Sequence, residues 1–373
     1  MKKVVKFGGS SLADAAQFKK VKKIICADPS RRFVVPSAPG KRSSADEKVT
    51  DLFYQYYDTT AAGGDGLMLR ARIQTRYREI IAGLGLKFSL EGEFEQIDRN
   101  FKRGFGRDYA ASRGEYLNGL IMAEYLGFPF VDAAEAVRFD EAGNFLPEET
   151  NAALRKRLRH MDHAVIPGFY GSMPDGTIRT FSRGGSDITG SLVARAIRAD
   201  LYENWTDVSG FLLADPRIVD NPLPIGTITY RELHDLSAMG ASVLHEDAVF
   251  PVKKEGIPIN IKNTNRPQDP GTMIVSRTAQ MPVCGITGIA GKKSGSLGSD
   301  LALVAVGGRA SCPSPSLAGN VVSALEQAHI DVMTIDQNIE SVTMIVGVRN
   351  RDFEPAVRAI YNRFIRNSVS APC

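Results

Sequence analysis

A lysine, two glycines and two serines stand together near the start of the chain, in Lys6-Phe-Gly-Gly-Ser-Ser11. A lysine at the end of a strand brings a point charge to phosphate oxygens, and the glycines let backbone N–H groups approach the same oxygens. The spacing is not that of a Walker loop, and by itself it suits a tight strand-to-helix turn equally well. A second glycine pair lies in Phe181-Ser-Arg-Gly-Gly-Ser-Asp-Ile-Thr189, where an arginine with a carboxylate-matching fork precedes an acidic residue at a helix start. A capped helix after a loop would need those glycines but not Arg183, so the segment speaks for ligand binding. In Ser112-Arg-Gly-Glu115 a carboxylate opens an apolar helical run and gains from the helix dipole, which alone is also the pattern of a solvated helix start. Asn204-Trp-Thr-Asp207 ends a strand and Ala214-Asp-Pro-Arg217 follows as a turn. Both stand where α/β sheets bind ligands, at strand carboxyl ends.

The elements that must position these groups are punctuated as α/β. Apolar β-branched runs recur at Val4-Val5, Phe33 to Val35, Phe130-Val131, Ala164 to Ile166 and Ile257 to Ile259, with helical patterns between several of them. After Gly185, the residues Ile188, Leu192, Val193, Ala196 and Ile197 share one helical face, and Ser186 is a candidate N-cap. The first glycine loop likewise feeds a helix carrying Phe18, Val21, Ile24 and Ile25. Two such loops in one sheet suggest a polyanion site.

The character changes near residue 280, which divides the chain into a domain over 1–280 and a second over 284–373, with the run 291–299 as a flexible connection. The second domain reads as a strand at Leu301 to Val306, a helix begun by Ser314 and Pro315, strands near Asp331 to Ile335 and Val342 to Val348, and a helix from Phe353. A ferredoxin-like unit needs one strand more than this β-α-β-β-α order, and the proline-broken tail from Asn367 to Cys373 is a poor source. The apolar segment 285–290 is the candidate, so the domain combines strand 285–290 with 301–366.

Bulk properties exclude several classes. The 373 residues are 43% hydrophobic and 24% charged, enough for a real core. A net charge of +4 without a basic stripe argues against nucleic acid. The cysteines, Cys26, Cys284, Cys312 and Cys373, form no C-x-x-C pair, which indicates neither zinc nor disulfides and fits a reducing cytoplasm. No signal-peptide pattern follows Met1, and no apolar run reaches membrane-spanning length, so no membrane is expected.

Taken in order, with Ser37-Ala-Pro-Gly-Lys41, Val49-Thr-Asp-Leu52 and Met239-Gly-Ala-Ser-Val-Leu-His245, these segments closely resemble the aspartate kinases of the amino-acid kinase superfamily over nearly the whole chain. The β-α-β-β-α unit resembles an ACT domain, a small-ligand sensor that aspartate kinases carry as a pair. The resemblance implies a three-layer αβα sandwich followed by a small ferredoxin-like (βαββαβ) ACT domain, and homodimers or larger homo-oligomers joined through the ACT region. It implies transfer of the γ-phosphoryl group of ATP to the β-carboxylate of L-aspartate, the first step toward diaminopimelate, lysine, threonine and methionine. Carried over by position, Lys6, Gly8, Gly9 and Ser10 meet the ATP phosphates, while Thr50, Glu115, Arg183 and Ser186 hold aspartate. Thr206, Asp207, Phe211, Asp215 and Arg217 line the nucleotide pocket. Lys6, Asp187 and Arg183 carry the chemistry, with Asp187 organising the phosphoryl and metal region, and Mg²⁺ enters through the ATP phosphates without a direct protein ligand. An acceptor carboxylate with a pKa of about 4 is already ionised, so the reaction needs no general base and no covalent enzyme intermediate.

Three departures from the family stand out. Ser242 replaces a lysine that relatives place near the nucleotide, and Lys253, Lys254 and Lys262 are the nearby cations that could compensate. After Ala290 a whole first ACT unit is missing, so feedback inhibition by lysine or threonine is expected to be absent or altered. The segment Ile335-Asp-Gln-Asn-Ile-Glu-Ser-Val-Thr343 also differs from the usual ligand-binding run, which favours dimerisation over sensing. Two other functions stay open: a kinase for another amino acid or carboxylate of the superfamily, and a catalytically weak ligand sensor on the same fold.

Overall fold

The protein is described by a computed structural model covering residues 1–182, 184–238, 244, 248–278, 286–293, 300–308, 317–338 and 343–369. Arg183, Ser242, Ser314, Pro315 and Gly285 fall outside these residues, as does the Met239 to His245 motif apart from Leu244. The chain forms two compact units, Met1–Val208 with Asp247–Asp269, and Ser209–Glu246 with Pro270–Cys373.

The first unit runs β1 (Lys3–Phe7), α1 (Ala15–Cys26), β2 (Arg31–Pro36), α2 (Val49–Ala61), α3 (Leu67–Leu84), α4 (Glu91–Lys102), α5 (Gly106–Leu126), α6 (Pro147–Leu158), β3 (Ala164–Val165), β4 (Tyr170–Ser172), β5 (Ile178–Thr180), α7 (Gly185–Ile197) and β6 (Leu201–Thr206). After contributing β7 (Thr227–Thr229) and α8 (Tyr230–Ala238) to the second unit, the chain returns with α9 (Phe250–Glu255) and β8 (Ile259–Asn263). The strands lie parallel in the order β3-β2-β1-β6-β8. The runs Val4-Val5 and Phe33 to Val35 are apolar and buried, as parallel strands covered on both faces require, whereas β6 (Leu-Tyr-Glu-Asn-Trp-Thr) and β8 (Ile-Asn-Ile-Lys-Asn) interleave polar residues. Strand alternation sends Val5 and Phe7, with Trp205, into the core made with α1 to α5. On the opposite face, α7 packs on β1, β2 and β6. The run Phe130-Val131, read as a strand, makes only one isolated bridge, from Phe130 to Val165. β4 and β5 form a separate antiparallel pair.

Helix α7 starts two residues earlier than its side chains suggest. Ser186, expected as the N-cap, lies inside the first turn, and the cap is Gly184 at φ 58°. That left-handed conformation costs glycine nothing, so the turn is set by the backbone and not by a capping hydroxyl.

The second unit contains the parallel pair β7 and β9 (Thr272–Val275). It also holds a four-stranded antiparallel sheet built from β10 (Gly288–Lys293), β11 (Ala302–Gly307), β12 (Thr334–Asn338) and β13 (Thr343–Val348), with helices α10 (Leu317–Gln327) and α11 (Phe353–Val369). The strand order β10-β11-β13-β12 is that of a ferredoxin-like unit whose edge strand precedes the others in sequence. Strand β10 runs on through Gly291 to Lys293, because each residue as far as Lys293 finds a partner on β11.

Candidate active site

The carboxyl ends of β1 and β6 supply the first charged cluster. Lys6 and Asn204 are register partners on neighbouring strands, and both side chains point toward α7. The Lys6 ammonium, almost fully buried, lies 2.6 Å from Asp187 Oδ1 and donates to Asn204 Oδ1 at 3.4 Å. Asn204 Nδ2 in turn donates to Asp187 Oδ1 at 2.7 Å, closing a three-membered arrangement that fixes the lysine without a bulky support. Tyr202, one strand step before on the same face as Asn204, donates its hydroxyl to the Asp187 carbonyl at 3.1 Å. Gly8 N–H donates to Trp205 O at 3.0 Å, so the glycine turn hangs directly from β6. A Cβ on Gly8 would stand 3.6 Å from Lys6 Nζ.

The glycine turn is backed by a second backbone. Gly40 N–H donates to Gly9 O at 2.8 Å, and a Cβ on Gly40 would fall 2.5 Å from Gly9 C and 2.6 Å from Gly9 O. Backbone atoms cannot swing aside as a side chain can. Gly40→Ala is therefore expected to destabilise the protein by roughly 1–3 kcal/mol and to raise KM for the nucleotide, measured by thermal unfolding and by nucleotide titration of the activity.

Glu115, in the middle of α5 and not at a helix start as its motif suggested, supplies a carboxyl. Its carboxyl is fully enclosed, and burial pushes its pKa up to about 8, against the pull of the Ala38 N–H, its own N–H and the Lys6 charge. Its Oε2 has no hydrogen-bond partner. One helical turn on, Asn118 is wholly buried, donates Nδ2 to Ser37 O at 2.6 Å and leaves Oδ1 unpaired. Close packing holds this corner: a Cβ on Gly114 would meet Ala38 Cβ at 2.8 Å and Thr50 Cγ2 at 3.6 Å. Ser186 packs equally closely on Gly168, where a Cβ would lie 2.6 Å from the serine Oγ.

The structure thus gathers Lys6, Gly8, Gly9, Asp187 and Glu115 around the ends of β1 and β6. Asn204, Asn118 and Gly40 join them, although no role was assigned to these three from sequence. Asn204 had a signal, since it falls opposite Lys6 when the two strands are aligned. Asn118 had none, and Gly40 stood only within the Ser37 to Lys41 segment with nothing to show what it meets, because the partners of both are distant in sequence. Thr206 and Asp207 close β6, with the Thr206 hydroxyl donating to Asp207 Oδ1 at 3.1 Å. In the second unit Phe211 is buried and its N–H donates to Thr272 Oγ1 at 2.8 Å. Asp215 and Arg217 pair there at 2.6 Å, and the guanidinium holds the Asp215 carboxyl below its ordinary range. Two of the three lysines near Ser242 in sequence are engaged elsewhere: Lys254 pairs with Glu148 at 3.1 Å, and Lys262 donates to Asp269 O at 2.5 Å.

Residues 1–263 match the amino acid kinase family, and residues 304–364 match the ACT domain. The chain belongs to the amino acid kinase family. It is 41% identical over 307 residues to aspartokinase 3 of Bacillus subtilis, covering 76% of this chain and 66% of that protein. It is 30% identical over 316 residues to the chloroplastic aspartokinase 1 of Arabidopsis thaliana, covering 78% and 55%. The chain therefore spans about two thirds or less of the length of these relatives. A crystal structure of Clostridium acetobutylicum aspartate kinase, described as an allosteric enzyme, superposes with a TM-score of 0.90 at 41% identity, covering 98% of this chain and all of that one. Among the described residues no helix is long and apolar enough to cross a membrane.

Proposed function

We propose that this amino acid kinase is an aspartate kinase, transferring the γ-phosphoryl group of ATP to the β-carboxylate of L-aspartate to give 4-phospho-L-aspartate. The observation that carries the reading is a buried cation at a strand end and, near it, a buried, half-unpaired carboxyl. Lys6 suits a phosphate, and the free Oε2 of Glu115 suits an ammonium. A donor with a polyanionic tail and an acceptor with an amino group account for both. The likeness to aspartate kinases at 41% identity supports aspartate over other carboxylates.

In this reading the Gly8, Gly9 and Ser10 amides and Lys6 receive the phosphates, with Asp187 and Asn204 fixing the ammonium in place. Glu115 takes the acceptor's ammonium, Arg183 its α-carboxylate, and Thr50 and Ser186 its remaining polar atoms. Thr206, Asp207, Phe211, Asp215 and Arg217 serve the nucleoside. Mg²⁺ would enter on the phosphate oxygens and supply charge neutralisation there, with Asp187 the carboxylate at hand beside Lys6. The acceptor carboxylate attacks as the ionised nucleophile, so catalysis is positioning and charge stabilisation without a general base. Homodimers through the ACT region fit the exposed edge of β12, where Met333 and Ile335 are 55% and 52% exposed. A cytoplasmic setting fits the exposed free thiol of Cys26.

The deciding experiment is ATP-dependent hydroxamate formation with L-aspartate, L-glutamate and N-acetylglutamate. Aspartate-selective product is expected, while product from another acceptor alone would move the assignment within the family. Millimolar lysine and threonine, added singly and together, are expected to inhibit weakly, and strong inhibition by either would sink the idea of reduced feedback control.

A further inference from the structure

Arg76 lies on α3, outside every motif discussed so far. Its side chain is only 5% exposed, yet it is a full cation among the apolar neighbours Ile73, Tyr77 and Ile80 of its helix. Burying a guanidinium is costly unless its donors are satisfied, so its partners show what it is for. Nη1 donates to Asp46 Oδ2 at 2.5 Å, and Nη2 donates to Ala13 O at 2.9 Å and to Gly40 O at 2.5 Å, while Nε has no partner, so the two terminal nitrogens carry the contacts. Ala13 closes the short turn Gly9–Leu12 that follows the glycine loop. Gly40 is the residue whose own N–H holds Gly9. Asp46 sits in the segment 41–48 that leads into Thr50 on α2.

One guanidinium therefore ties the phosphate-side loop to the acceptor-side segment. The segment 41–48 is otherwise exposed over 41–45, and two further ion pairs hold it along the same stripe of α3. Arg42 reaches Glu79 at 2.9 Å, and Glu47 pairs with Arg72. Arg72, Arg76 and Glu79, spaced four and three residues apart, share one helix face. The outer two pairs are exposed and contribute little, whereas Arg76 is enclosed and its three acceptors match the planar fork that a lysine lacks.

We propose that Arg76 is a positioning residue that sets the spacing between the nucleotide-phosphate loop and the acceptor loop, with Asp46 as its clasp on the acceptor side. This rests on the functional reading above. Arg76→Met, Arg76→Lys and Asp46→Asn are compared with the unaltered chain for kcat, for KM of ATP and of aspartate, for thermal unfolding, and for tryptic cleavage at Lys41, Arg42 and Lys48. Arg76→Met is expected to raise both KM values about tenfold to a hundredfold, as small misplacements of reacting groups do. Arg76→Lys is expected to resemble Arg76→Met. Asp46→Asn keeps the fold and raises the aspartate KM about tenfold while changing the ATP KM by less than about twofold, since it releases only the acceptor segment. Cleavage at 41–48 accelerates in all three. KM values unchanged in Asp46→Asn, or restored by Arg76→Lys, would overturn the proposal, and Asp46→Asn decides it should Arg76→Met fail to fold. An unaltered chain that makes no aspartyl hydroxamate would instead overturn the functional reading, a result distinct from an active chain whose variants keep their KM values.

Discussion

Lys6→Met is expected to lower kcat about 10²–10³-fold, the usual cost of removing one preorganised charge from a developing oxyanion. Methionine keeps the length and the apolar stem, so the change isolates the ammonium. In the unaltered protein that ammonium is held by Asp187 at 2.6 Å and by Asn204, and pays no reorganisation when phosphate charge migrates. KM for ATP is expected to rise less than kcat falls, since the glycine amides still receive the ground-state phosphates. Removing the cation also leaves Asp187 with only Asn204, but the carboxylate is 20% exposed and water can replace part of the loss. Steady-state hydroxamate kinetics with a parallel unfolding curve separates the two effects. A kcat within a fewfold of the unaltered value, in a folded variant, would show that Lys6 does not face the reacting phosphate.

Much of the architecture was legible because parallel strands buried on both faces leave uninterrupted apolar runs, as at Val4-Val5 and Phe33 to Val35. The two-part organisation, an amino acid kinase region and an ACT region, was likewise readable from motif order. What escaped were features set by cross-chain register and close approach. Phe130-Val131 has strand composition but too little partner, because β3 is only two residues long beside it. Ser186 looked like a cap because its hydroxyl could serve, yet Gly184 already turns the backbone. Gly40, although part of the Ser37 to Lys41 segment, shows no pattern that predicts its contact, and Arg76 carries no local pattern at all. Each matters through atoms far away in sequence, Gly9 for the first and Ala13 with Asp46 for the second, and nothing in a helical or strand period encodes that.

Glu115→Gln is expected to raise KM for aspartate about tenfold to a hundredfold, the worth of a charge-assisted hydrogen bond to an enclosed ammonium. The larger signature is its pH dependence. With the pKa pushed up to about 8 by burial, the ligand-free carboxyl holds a proton at neutral pH, while the unfolded chain releases it near the ordinary 4.5. The folded state therefore binds the extra proton between these values. This contribution to stability is fully present below pH 4.5, falls as pH rises toward 8 and is lost above it. At about 1.36 kcal/mol per pKa unit the loss is on the order of a few kcal/mol, and Glu115→Gln should be more stable than the unaltered protein above pH 8 by a similar amount. Binding runs the other way. An arriving ammonium needs the ionised carboxylate, so acceptor binding expels the proton, and log KM for aspartate should fall with rising pH by close to one unit per pH unit until it levels near 8. Glutamine carries no such proton, so its KM should be flat over the same window. Aspartate KM measured from pH 6 to pH 8.5, beside urea unfolding of the ligand-free protein at the same pH values, reads both slopes. An identical pH dependence in the two proteins would remove Glu115 from the acceptor's ammonium. Opposite slopes for stability and affinity, both abolished in the variant, would tie the unpaired Oε2 to the incoming charge.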